Sequence, residues 1–130
     1  MPSALIAKEI VATLPAKLGL LAEVAGAIRA EGVNIKAVSA YERGGEGKFL
    51  FVTGDNAKTA AVLEKMGAKP HEKSVVLADL EDRPGALEEA ATMLADAGIN
   101  IEYVYGGSGL VGKARLVFST SDDEKAAGLL

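Results

Sequence analysis

The sequence predicts an α+β fold made of two copies of one β-α-β-β-α-β unit, each an antiparallel sheet with its helices on one face. Three observations carry this expectation. A shift of 66 positions (32 to 98) lays Gly32-Val-Asn-Ile35 on Gly98-Ile-Asn-Ile101. In that register Leu14 meets Leu80, Gly19 meets Gly85, Leu21 meets Leu87, Glu23 meets Glu89 and Ala25 meets Ala91. Within each copy, strand-like and helix-like apolar spacings follow one another in the same order. The match continues without a gap through Val38 on Val104, Leu50 on Leu116 and Leu63 on Leu129, and reads as a duplication.

The elements follow in order. Lys8–Leu14 and Ser74–Leu80 are short runs rich in β-branched residues and Leu, as first strands require. A break holding Gly19 or Gly85 comes next. Leu21, Val24, Ala25 and Ile28, then Leu87, Ala90, Ala91 and Leu94, recur at helical spacing and predict one apolar stripe per helix. Gly32 and Gly98 stand where a helix C-terminus favours glycine. Asn34–Tyr41 and Asn100–Tyr105 read as second strands. Arg43–Gly47 and Gly106–Gly109 are glycine-rich turns, and Lys48–Thr53 and Ala114–Ser119 are third strands, so each pair is a hairpin. Second helices start near Asn56 and Asp122, both suitable N-caps. Lys69–Lys73 is a candidate fourth strand. This is the ferredoxin-like βαββαβ plan. It divides the chain into a first domain over 1–72 and a second over 73–130, the second without a C-terminal strand of its own. The shift lays residues 1–6 on the fourth-strand region of copy one, so Ser3–Ile6 is expected to supply the missing edge strand, to copy two or to a partner chain.

Composition narrows the function. The 130 residues carry 18 acidic and 14 basic side chains, a net charge of −4, which gives no electrostatic reason to bind a polyanion. No nucleic-acid partner is expected. The chain has no cysteine, which removes disulfides, zinc fingers, iron–sulfur clusters and thiol nucleophiles and fits a reducing compartment. No apolar run approaches the roughly 18 residues of a membrane span, and the first residues lack the features of a signal peptide. A cytoplasmic protein with no membrane partner and no cofactor is expected. His71 is the single histidine and has no companion for metal binding. Gly107–Gly112 matches the spacing of a dinucleotide fingerprint, but it lies in a hairpin instead of between a strand and a helix, and is set aside.

The loop Leu80-Glu-Asp-Arg-Pro-Gly-Ala-Leu87, followed by Ala97-Gly-Ile-Asn-Ile101, resembles the ACT domain, a small regulatory module found on many enzymes of amino-acid metabolism. Copy two carries the pattern at Asp82, Pro84, Gly85, Leu87, Gly98, Ile99, Asn100 and Ile101. Copy one keeps Gly19, Leu21, Gly32, Val33, Asn34 and Ile35, but has Ala16 for the Asp and Leu18 for the Pro. The resemblance covers nearly the whole chain as two ACT-type units with no catalytic domain attached. It implies a stand-alone, non-catalytic sensor that pairs as a homodimer and holds an amino acid at an inter-domain or inter-subunit interface. The contacting residues it implies are Asp82, Arg83, Pro84, Gly85, Ala86, Leu87, Asn100 and Ile101, with Leu18, Gly19, Leu20, Asn34 and Ile35 in copy one.

The chemistry of these residues suits that role. Without a side chain, Gly85 lets a ligand approach the backbone where a strand feeds a helix, and the positive end of the helix favours a carboxylate. Asn100 offers a donor and an acceptor to a zwitterion, and Asp82 can meet an ammonium. Plainer roles compete with each of these. The glycines can serve only as turns, Pro84 as the helix start, and the asparagines as partners of local backbone. Asp82 and Arg83 can be solvated charges. Tyr103 with Tyr105, and Phe49 with Phe51, share strand faces and are read as packing rather than base stacking. Two other functions fit less well. One is a ligand-free assembly subunit acting on a metabolic enzyme in trans. The other is an acylphosphatase-like enzyme using Arg83 and Asn100, against which Glu81 and Asp82 would repel a phosphate.

Overall fold

Ten elements follow one another in the computed structural model, which describes residues 3–109 and 111–130. They are β1 (Ser3–Pro15), α1 (Leu20–Ala30), β2 (Ile35–Arg43), β3 (Glu46–Thr53), α2 (Asn56–Lys65), β4 (His71–Glu81), α3 (Ala86–Asp96), β5 (Ile101–Ser108), β6 (Lys113–Thr120) and α4 (Asp123–Leu129). Leu110, inside the Gly107–Gly112 stretch, and residues 1–2 lie outside the described residues. The expected fourth strand of copy one and first strand of copy two are a single strand, β4, because nothing after Pro70 interrupts the extended run from His71 to Glu81. The chain forms two compact units. One is Lys8–Lys73; the other is Ser74–Leu130 together with the start of β1, through Ala7. The repeat boundary expected at 72/73 therefore leaves out one feature: the first residues of β1 cluster with the second copy.

In the first unit the sheet runs β2-β3-β1, with the beginning of β4 beside β1. Ile10 faces Phe51 and Ala12 faces Phe49 across the β1–β3 ladder. These residues and Leu14 form the sheet side of the core, against Leu20, Val24 and Ile28 of α1 and Val62 and Leu63 of α2. The Phe49 and Phe51 rings stack at 5.7 Å and are buried, so they are core residues. Each such large side chain contributes on the order of 1.5–3 kcal/mol by burial.

The second unit repeats the plan, with strand order β5-β6-β4 and the first residues of β1 beside β4. Val76, Ala78, Leu80, Leu116 and Phe118 meet Ala90 and Leu94 of α3 and Ala126 of α4, and Ala4 packs against this core. Among the described residues no buried side-chain nitrogen or oxygen lacks a hydrogen-bond partner.

Three expectations are corrected. Leu21 and Leu87 are half exposed, at 50 % and 51 %. The buried stripe of α1 is Leu20, Val24 and Ile28, one position earlier, because the helix begins at Leu20. The cap of α2 is Asp55, which accepts from the Lys58 N–H, and Asn56 is already helical; Asp122 caps α4 in the same way through Lys125. The ungapped repeat also fails beyond the hairpin. Arg43 pairs with Glu46 across Gly44-Gly45, whereas the Gly109 N–H donates to the Lys113 carbonyl, enclosing three residues. Copy two thus carries one extra residue in its turn. The true counterparts of Phe49, Asp55, Thr59 and Leu63 are Leu116, Asp122, Ala126 and Leu130.

Candidate ligand site

Each candidate loop joins the end of a core strand to a helix. The tightness of that turn forces a left-handed backbone at the residue before the helix: φ is 78° at Gly19 and 87° at Gly85. A residue with a Cβ is strained there, which explains why both copies have glycine. Neither helix start receives a side-chain cap. The Leu20 and Ala86 N–H groups donate to the Lys17 and Arg83 carbonyls at 3.2 Å, but the N–H groups that follow lack the side-chain acceptor that Asp55 and Asp122 give α2 and α4, at a positive helix end. Pro84 stands before the cap, two positions ahead of the first helical residue, so it does not itself start the helix.

Charged side chains frame both loops. Arg83 donates from Nε to Glu81 Oε2 at 3.0 Å and from its two terminal nitrogens to Glu89 at 2.7 and 3.2 Å. These hydrogen bonds and the guanidinium charge hold the Glu81 and Glu89 carboxyls below the usual carboxylate range, and push Arg83 up. Beneath the ion pairs lies a cavity of about 150 Å3, walled by Leu80, Ala86, Ala90 and Met93. In the first unit Lys17 bonds Glu23 at 2.7 Å, in the place of the Arg83–Glu89 pair. Neither pair belongs to the glycine and asparagine motif, although the repeat lays Lys17 on Arg83 and Glu23 on Glu89.

Asp82 points to the hairpin instead of standing free in the loop. Its carboxylate accepts from Ser108 Oγ at 2.8 Å, and its N–H donates to the Gly112 carbonyl at 3.0 Å. Leu18 is fully exposed and Leu87 half exposed, while Leu20 is buried and Ala86 packs against the second core. Ile35 and Ile101 pack partly into their own cores.

The asparagines stand apart from the glycine loops. Helices α1 and α3 each end in a Schellman turn: Gly32 donates to Arg29 and Val33 to Ile28, as Gly98 does to Ala95 and Ile99 to Leu94. The turn releases the chain into Asn34 and Asn100, whose carbonyls accept from Gly54 and Ser121; the Asn100 N–H also bonds Ser121 Oγ. Eleven helical residues separate Gly85 from this end, a length of about 16 Å at 1.5 Å per residue. One unit therefore does not bring Gly85 and Asn100 to the same small ligand. Among the described residues no group of three His, Cys, Asp or Glu side chains is placed to hold a metal ion. No helix among them is long and apolar enough to cross a membrane.

Two units, each opening a glycine-started helix beside an ion pair and closing it on an asparagine, define the class of ferredoxin-like α+β modules. The chain belongs to the ACT domain family, whose model matches residues 8–71 and 74–130. No curated protein matches it in sequence. Among solved structures, it resembles the protein BT0572 from Bacteroides thetaiotaomicron, at TM-score 0.88 and 27 % identity over 98 % of this chain and 88 % of that one. It also resembles the ligand-free regulatory subunit of aspartate kinase from Thermus thermophilus, at TM-score 0.74 and 13 % identity, covering 98 % and 93 % of the two chains. E. coli aspartokinase III, in complex with aspartate and ADP, is similar over 98 % of this chain and 31 % of its own, at TM-score 0.66 and 16 % identity.

Proposed function

We propose that the chain is a cytoplasmic, non-catalytic sensor that binds an amino acid and acts as a pair of chains, regulating an enzyme of amino-acid metabolism in trans. Membership of both halves in the ACT domain family carries this reading. The uncapped helix starts at Gly19 and Gly85 support it chemically, since they offer backbone donors and positive potential to a carboxylate. The distance between Gly85 and Asn100 supports pairing. A zwitterion touching both kinds of group needs the glycine loop of one module and the asparagine of another, which a second copy of the chain supplies. Ligand bound across such a pair stabilises one arrangement of it, and the shift in population is the signal. The likeness in fold to an aspartate kinase regulatory subunit is in keeping with an enzyme as the partner.

Calorimetric titration of the full chain with amino acids tests the reading. Binding that is lost in Gly19→Val or Gly85→Val and weakened in Asn34→Ala or Asn100→Ala, with the variants folded, supports it. Amino-acid binding that none of these substitutions alters contradicts the proposed contacts.

A further inference from the structure

In both units the glycine loop is tied to the neighbouring hairpin turn by one backbone bond, Ala16 N–H to Gly45 O at 2.9 Å and Asp82 N–H to Gly112 O at 3.0 Å. What lies beside that bond differs. In the second unit the Ser108 hydroxyl reaches Asp82 and bridges loop to strand with a side-chain bond. The corresponding residues of the first unit are Glu42 and Ala16, and an alanine cannot accept that bond. A cleft of about 180 Å3 opens there, its walls including Leu20, Leu21, Ala40 and Phe49, with Lys17 and Glu42 on its charged rim. Gly47 keeps the cleft's shape, because a Cβ at that position would come within 2.7 Å of Leu20 Cδ2 and displace it. The second unit has Ala86, Gly106 and Leu116 where the first has Leu20, Ala40 and Phe49, so its counterpart is lined by smaller side chains.

We infer that this cleft in the first unit, the copy with the poorer motif, takes the side chain of an aliphatic α-amino acid, with Lys17 meeting its carboxylate and Glu42 its ammonium. The inference rests on the amino-acid-binding reading above and assigns that ligand's chemical class and its place. Its size suits such a ligand, lying well below the roughly 300–1,000 Å3 of pockets that hold drug-sized molecules. The rim presents Lys17 and Glu42, one charge of each sign for the two ends of a zwitterion, with Glu23 held on Lys17 as Glu89 is on Arg83 in the second unit. Lys17 is bonded to Glu23, but at 57 % side-chain exposure it can exchange that partner for a ligand carboxylate.

The test is titration of the full chain with valine, leucine, isoleucine, methionine, glycine and aspartate, followed by the best ligand with Ala40→Phe protein. The aliphatic amino acids are expected to bind roughly tenfold or more tightly than glycine, as burial of their side chains predicts. Ala40→Phe fills the cleft from the strand and should weaken binding at least about tenfold on the same basis. Because that variant could also disturb folding, the unaltered protein provides a second readout: the methyl resonances of Leu20 and Leu21 should shift on titration. Binding that survives Ala40→Phe, with those methyls still and the Leu87 methyls moving, overturns the cleft and leaves the sensor reading standing. Failure of every amino acid to bind overturns both.

Discussion

Gly106 is the residue whose replacement the structure penalises most directly. At φ +147° on β5, a Cβ there would overlap the Arg115 carbonyl oxygen and crowd Leu116 on the neighbouring strand. Gly106→Ala is expected to cost about 2 kcal/mol or more, read as a lower midpoint in urea unfolding. A second prediction concerns acid. Arg115 bonds Asp79 at 2.8 and 3.0 Å, and this hydrogen bonding holds the Asp79 carboxyl below its ordinary value of 3.8, against a smaller opposing effect of burial. A carboxyl depressed in the folded state contributes stability above its unfolded value and loses it as pH falls through the folded one. The stability difference between wild type and Asp79→Asn should therefore be largest near neutrality and shrink as pH falls below the ordinary value of 3.8 and through the lower folded one. With both side chains partly in water its size should stay under about 1 kcal/mol. Arg83 with Glu81 and Glu89 has the same sign, and added salt should weaken it readily because all three are exposed.

Element order was legible because each element has a local cause: β-branched runs for strands, three-and-four spacing for helices, and glycines where the chain must turn sharply. Boundaries were less so. The extra turn residue of copy two was hidden because Leu50 on Leu116 and Leu63 on Leu129 match by composition in the wrong register. Structure restores it through the paired caps, since Asp55 and Asp122 bond Lys58 and Lys125 identically. Loss of either cap, as Asp55→Ala or Asp122→Ala, should cost about 1 kcal/mol in thermal or urea unfolding. Equal effects are not expected, because α4 has seven residues and α2 has ten. At the candidate site the glycines and asparagines could be read from the motif. The Ser108–Asp82 bond and the Lys17–Glu23 pair could not, because they depend on which hairpin and helix turn lie beside each loop.

For the molecule as a whole, the second unit needs a strand from outside its own copy of the repeat. The start of β1 clusters with Ser74–Leu130, and Ala4 packs against that unit's core. Removing residues 1–7 should lower the melting temperature by several degrees and expose amides of β4 to faster hydrogen exchange, while the core of the first unit keeps its protection. An unchanged melting temperature would contradict the role given to β1. The regulatory reading has its most direct test in the melting temperature of the purified chain with each of the twenty amino acids at millimolar concentration. A ligand at 100 times its dissociation constant adds about 2.7 kcal/mol, a shift of several degrees for a protein of this size. The account predicts such a shift for one amino acid or a few related aliphatic ones, and no shift with any of the twenty would contradict it.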